Sequence, residues 1–154
     1  MKINLIKHFE YELWANKMIV ASFKKIAEND DRALLLFSHI LSAHSMWLSR
    51  IKDKPFTTRL FQERTLNDCE ILMNENAIAW QDYLPTITSS ELERVIHFTM
   101  PTDGTKRKMR IDDALTHLIS HSAYHRGQIV ARMKGKLDVL PHTTYIAYAS
   151  EMDV

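Results

Sequence analysis

The stretch His117-Leu-Ile-Ser-His121-Ser-Ala-Tyr-His125-Arg-Gly-Gln128 sets three histidines at successive intervals of four residues. On an α-helix a step of four turns only about 40° around the axis, so the three imidazoles form one ridge. Two of them one turn apart can converge on a single metal ion, the geometry behind the His-x-x-x-His half of many zinc sites. The same spacing often occurs on a solvated or boundary face that binds nothing.

Working outward, Leu115, Leu118, Ser122, Ile129 and Met133 mark the inner stripe of this helix, with His121 and His125 at its edge and His117 further out. The helix should begin near Ile111, where Asp112 and Asp113 favour the positive end of its dipole, and stop at Gly135 as a C-terminal cap. Arg126 points about 100° away from His125, which suits a buried ion pair or an interface contact. Gly127 reads as a place where another helix comes close.

Upstream, Val95, His97 and Phe98 precede Pro101-Thr-Asp-Gly104 and then Thr105 to Arg110, the pattern of a short β-hairpin. Its Lys106, Arg107, Lys108 and Arg110 read as a solvated edge that resists pairing with other chains. Three further helices are expected before it. The first, about 3 to 26, has Ile6, Phe9, Leu13, Met18 or Lys17, Val20 and Ile26 near helical spacing. The second runs from about Asp31 to Ile51, with Leu36, Phe37, Ile40, Leu41, Trp47, Leu48 and Ile51 on one face. It carries His44 near the centre of that face and His39 on its border. Five residues apart, these two point about 140° away from each other and are not expected to share a metal. The stretch from Lys52 to Arg64 reads as a loop. Thr65 with Asp68 forms a variant capping box that opens a third helix to about Leu84, its inner face lined by Cys69, Met73, Trp80 and Leu84. Pro141 and then Tyr145 to Tyr148 suggest a final short helix or a strap.

The 154 residues suffice for one domain, 1–154, and three Gly and four Pro agree with long helices and few turns. With 20 Lys and Arg against 19 Asp and Glu, no global field attracts nucleic acid or an acidic membrane. No apolar run exceeds that of Ala33 to Phe37 in length, and no signal-peptide pattern is seen, so a cytoplasmic location is expected. One cysteine, Cys69, excludes an internal disulfide and a thiolate cluster, and its place on an inner face marks it as a buried, inert hydrophobe. Neither the Glu-x-x-His of di-iron bundles nor the His-Glu-x-x-His of zinc proteases occurs.

Trp14-Ala-Asn16, His39-Ile-Leu-Ser-Ala-His44 followed by Trp47-Leu-Ser-Arg50-Ile51, and the His117 to Gln128 string together resemble the DinB-like family, which includes the YfiT-like thiol transferases. The resemblance spans nearly the whole chain. It implies an all-α fold, an up-down-down-up four-helix bundle with a short hairpin or extended insertion before the last long helix. It also implies a homodimer and one divalent metal per chain, zinc or nickel, held by His39, His121 and His125, with His44 as the alternative to His39. The family's position matching His44 is commonly acidic, so His44 reads as a pocket residue or a hydrogen-bond partner of the ligands. His117, Tyr124 and Gln128 read in the same way.

Three imidazoles leave a coordination position open, unlike a closed structural site with four protein ligands. The expected function is a metal-dependent enzyme of thiol S-transferase or hydrolase type, acting on a small molecule with a low-molecular-weight thiol as one co-substrate. The alternative is a non-catalytic dimeric metal- or ligand-binding module of a stress response.

Overall fold

The computed structural model describes residues 2–151; Met1 and residues 152–154, which the one-domain expectation also covers, lie outside the described residues. The chain is mostly helical. It forms α1 (Lys2–Lys25), α2 (Asp31–Ile51), α3 (Leu66–Tyr83), a single 3-10 turn at Leu84–Thr86, α4 (Ser89–Glu93), β1 (Val95–Thr99), β2 (Lys106–Arg110), α5 (Ile111–Arg132) and α6 (Tyr145–Ala149). Two of the long helices, α2 and α3, start where a side chain accepts from a free backbone N–H. The Asp30 side chain accepts from the Ala33 N–H at 2.8 Å, and Thr65 Oγ1 accepts from the Asp68 N–H at 3.1 Å. Caps of this kind contribute about 1 kcal/mol each.

The four long helices pack side by side, α1 and α2 each lying against both α3 and α5. Two apolar clusters fill the space between them. One gathers Leu5 and Phe9 of α1, Trp47 and Ile51 of α2, Trp80 of α3, and Ile111, Leu115 and Leu118 of α5. The other gathers Ile19 and Phe23 of α1, Leu36, Phe37 and Ile40 of α2, Cys69 and Met73 of α3, and Ile129 and Met133 of α5. Cys69 is thus buried, as its position on the inner face of α3 led one to expect.

The stripe of α1 that faces inward differs from the expected line. Of the expected residues Phe9 and Val20 are buried, but Ile6, Leu13, Met18 and Ile26 are only half-buried and Lys17 is exposed, while Leu5, Glu12, Asn16, Ile19 and Phe23 are buried instead. The helix is rotated because Arg126 of α5 draws Glu12 and Asn16 into the core: its guanidinium donates to both Glu12 oxygens, at 2.7 and 2.9 Å, and to Asn16 Oδ1 at 3.3 Å. Arg126 is 1% exposed, so the ion-pair role expected of it is the one it has. Gly127 does not have the role expected of it. It is exposed, and a Cβ built there would meet nothing within 4 Å, so among the described residues of the chain no helix approaches it.

The hairpin pairs Val95 with Arg110 and Thr99 with Lys106, and turns through Gly104 at φ 72°, a left-handed conformation that costs glycine little. Its four basic side chains are exposed. Phe98 of β1 packs edge-on against Trp47, ring centroids 5.1 Å apart, and so ties the hairpin to α2. The short α4 before it, not among the expected elements, starts at the capping-box sequence Thr88-Ser-Ser-Glu91, where Thr88 Oγ1 accepts from the Glu91 N–H at 3.2 Å. α5 ends at Arg132 and the chain turns through Gly135 at φ 80°. The tail then returns to α1, where Tyr11 donates to the Thr143 carbonyl at 2.6 Å and packs edge-on against Tyr145. Among the described residues no helix is long and apolar enough to cross a membrane.

Candidate metal centre

His39 sits midway along α2, 6% exposed, and its orientation is set by the loop that follows the helix. Ser38 Oγ donates to the Gln62 carbonyl, and Arg64 donates to Ser38 Oγ at 2.7 Å and Ser42 Oγ at 2.8 Å, pinning residues 60–64 across α2. That brings two contacts onto the imidazole. The His39 Nδ1–H donates to the Leu60 carbonyl at 3.0 Å, and Phe61 stacks flat on the ring, centroids 3.9 Å apart and planes 5° from parallel. With its proton on Nδ1, His39 turns an Nε2 lone pair toward α5.

His121 and His125 meet it from α5, where a spacing of four puts both on the ridge facing α2. The ring centroids of His39 lie 4.8 Å from each, and those of the α5 pair 4.5 Å from one another. One ligand-type nitrogen from each of the three lies within 4.8 Å of the other two. The closest approach is between His39 Nε2 and His121 Nε2, at 3.0 Å. The His125 Nδ1–H donates to Gln128 Oε1 at 2.7 Å, which leaves its Nε2 free as an acceptor. Burial, then the nearby imidazoles of His125 and His39, push His121 down to about 3, so it stays neutral at physiological pH. Burial lowers His39 as well, with the charge of His125 in the same direction and the Leu60 bond opposing. A metal ligand has to be a neutral imidazole with a free lone pair, and these environments favour that form.

The residues fit a divalent cation. The 3.0 Å between the two facing imidazole nitrogens is a few tenths of an ångström short of the edge, about 3.3–3.4 Å, of a tetrahedron with metal–nitrogen bonds of about 2.0–2.1 Å. Partners outside the cluster hold the Nδ1 protons of His39 and His125, the arrangement that fixes tautomer and ring plane in metal sites. A set of imidazoles without carboxylate or thiolate suits zinc, nickel, copper or iron rather than calcium or magnesium. The three-histidine cluster is therefore compatible with metal binding.

A family model described as the DinB family matches residues 4–151. The chain belongs to the DinB family. No curated protein and no solved structure matches it.

In this DinB chain the remaining histidines separate clearly. His44 does not join the cluster: its Nε2 lies 3.0 Å from Ser122 Oγ and 3.4 Å from Glu12 Oε2, in a pocket walled by Phe9 and Trp80. His117 lies one turn before His121, ring centroids 5.3 Å apart, with Trp47 on its other side at 5.6 Å. Tyr124 is 65% exposed and its ring lies 5.1 Å from that of His125. Gln128 is the direct hydrogen-bond partner of His125. Leu60, Phe61 and the serines that anchor their loop were not singled out in the sequence, because a carbonyl contact carries no side-chain signal and the loop has no period.

Proposed function

We propose that the protein is a metal-dependent enzyme of thiol S-transferase or hydrolase type, with one divalent metal, zinc or nickel, held by His39, His121 and His125. The observation that carries this reading is the convergence of three imidazoles from two helices, two of them with their Nδ1 protons engaged elsewhere. Membership in the DinB family supports it. So does the fold: the start of α1 and of α5 shares one cluster with the ends of α2 and α3, which supports an up-down-down-up four-helix bundle.

Such an ion supplies Lewis acidity, the property that makes a water or a thiol nucleophilic near neutral pH. The chain's own residues do the rest. Leu60 and Gln128 keep the His39 and His125 lone pairs inward. Phe61, flat against His39, shields that side of the cluster from water. His117 and Tyr124, both on the exposed side, flank the approach and offer an imidazole and a phenol to a bound small molecule, with His117 able to accept the proton a nucleophile gives up. The proposal extends to one domain over 1–154 and to a cytoplasmic homodimer, whose mass light scattering reads directly.

Elemental analysis of purified protein tests the ligand set: about one metal per chain in the wild type, and loss of it in His39→Ala and in His121→Ala. Full metal retention in either variant overturns the assignment. A screen of zinc- and nickel-loaded protein against thiols with electrophiles, and against esters and amides, then separates transfer from hydrolysis. Metal without turnover in any of these leaves the non-catalytic binding module.

A further inference from the structure

Four arginines of the chain are each held by a carboxylate: Arg94 by Glu91, Arg110 by Asp112, Arg126 by Glu12 and Arg132 by Asp30. Another, Arg64, bonds to the Ser38 and Ser42 hydroxyls. Arg50, in the last turn of α2, is held differently. Its guanidinium carbon lies 4.7 Å from the Trp47 ring centroid and 4.6 Å from that of Phe98, and because those rings meet edge-on it sits in the corner between them. Contacts of this kind fix a cation without neutralising it. Its Nη2 donates to the Thr99 carbonyl at 3.3 Å, and among the described residues that is its only hydrogen-bond partner. The side chain is half-buried and none of its nitrogens is enclosed without a partner, so the rest of its donor fork is open to solvent. Burial lowers this guanidinium from its ordinary value, and no carboxylate among the described residues offsets it. Arg107, opposite Phe98 in the hairpin, is engaged at the turn instead, where its Nε donates to Thr105 Oγ1 at 3.3 Å beside Asp103.

Arg50 is aligned with the metal centre. From His39 to Arg50 the helix makes three turns plus about 20°, so both leave the same face of α2, about 16 Å apart along its axis. Helical side chains lean back toward the N-terminus, as Arg50 does over Trp47 one turn earlier, which shortens the gap to about 11 Å. Exposed His117 stands in that gap, its ring centroid 5.6 Å from Trp47 and 5.3 Å from His121. A molecule bound at the three histidines therefore has, about 11 Å away, a fixed cation with an open donor edge and no counter-charge.

We propose that Arg50 binds a carboxylate of the molecule on which the metal centre acts, and so selects small molecules that carry one about 11 Å from the atom held at the metal. A guanidinium edge matches the two oxygens of a carboxylate, and one cation balances its single charge, which a phosphate dianion would exceed. The inference deepens the function proposed above and rests on it.

The probes are N-acetylated peptides of one cysteine followed by one to four glycines, each made with a free C-terminal carboxylate and as the amide. Every glycine lengthens the reach by about 3.5 Å. They are titrated into cobalt-loaded full-length protein, where a thiolate on the metal gives a charge-transfer absorption band that reads binding without turnover. Acid and amide are expected to bind alike with one glycine, and the acid about tenfold tighter with two or three, the worth of one charge-assisted hydrogen-bonded contact. In Arg50→Met the two forms should bind alike at every length, with metal content and amide affinity unchanged, and Arg50→Lys should keep part of the preference. No preference for the acid at any length in the wild type, or an undiminished one in Arg50→Met with metal and helical circular dichroism retained, overturns the inference and leaves the metal site standing. Absence of the thiolate band with every peptide takes down the thiol reading of the metal centre, and the inference with it. Should Arg50→Met fail to fold, the wild type decides: a preference as large with one glycine as with three overturns it.

Discussion

The Nε2 atoms of His39 and His121, 82 residues apart in the chain, face each other at 3.0 Å. Without a cation one of the two must carry the proton between them, and neither gains from carrying a charge there. The consequence is a pH dependence with a defined sign. His121 is held at about 3, below its ordinary 6.5, so the folded protein binds fewer protons than the unfolded chain between these values. Stability from this group is complete above pH 6.5 and is lost as pH falls toward 3. Thermal melting of chelator-treated protein should show a falling midpoint from pH 6.5 to 5, before the carboxylates titrate. In His121→Asn the fall should be shallower, and an equally steep fall would show that the group does not titrate as described.

Gln128 touches no metal position, yet its Oε1 holds the His125 Nδ1 proton at 2.7 Å. Loss of such an outer partner typically weakens a metal site about 10–100-fold. Competition titration with a zinc chelator should show a loss of that size in Gln128→Ala, and affinity kept or raised in Gln128→Glu, whose carboxylate accepts the same proton. Unchanged affinity in Gln128→Ala would remove its positioning role.

Much of this site was legible because its residues obey helical arithmetic. The four-residue spacing of His121 and His125, and the bounds of α2 at Asp31 and Ile51, follow from periodicity and cap residues alone. His39 was harder. On a helical wheel His44 lies deeper and looks the better ligand, and in the folded chain both are buried. What separates them is partners from distant segments, the Leu60 carbonyl for one and Ser122 with Glu12 for the other. The rotation of α1 is written in the spacing of its residues. Glu12 and Asn16 continue the series 5, 9, 19, 23 at three- and four-residue steps, as Arg126 continues 115, 118, 122, 129, 133. A carboxylate in one apolar stripe and a guanidinium in another imply a pair. Gly127 failed for the opposite reason: a small residue marks a close approach only when something stands over it, and its face of α5 is solvent.

Cys69 is fully enclosed, and burial raises its thiol to about 11. The thiolate needed for attack is therefore scarce at neutral pH. An aromatic disulfide reagent should label the native protein no faster than it unfolds, and stoichiometrically in denaturant. Cys69→Ala should keep metal content and whatever activity the wild type shows, at a cost of about 1 kcal/mol for the space left behind. Rapid labelling of the native state, or loss of activity in Cys69→Ala with fold and metal retained, would bring a cysteine mechanism back.

The pair of Glu12 and Arg126 is the main buried charge contact between α1 and α5, 3% and 1% exposed at the side chains. Burial alone would raise the Glu12 carboxyl, but hydrogen bonds from Arg126 and His44, together with their charge, bring it down to about 2 from 4.5. Removing one partner leaves an uncompensated charge in the core and typically costs about 3–5 kcal/mol. Arg126→Met and Glu12→Gln should each lose stability in urea titrations, while the double variant should recover most of the loss, because no charge is left stranded. The sign against pH is that of a lowered carboxylate: its contribution is full above pH 4.5 and disappears as pH falls toward 2. The wild type should therefore lose more stability than Glu12→Gln across that window. Additive single losses in the double variant would mean that the two side chains stabilise the bundle separately rather than through each other.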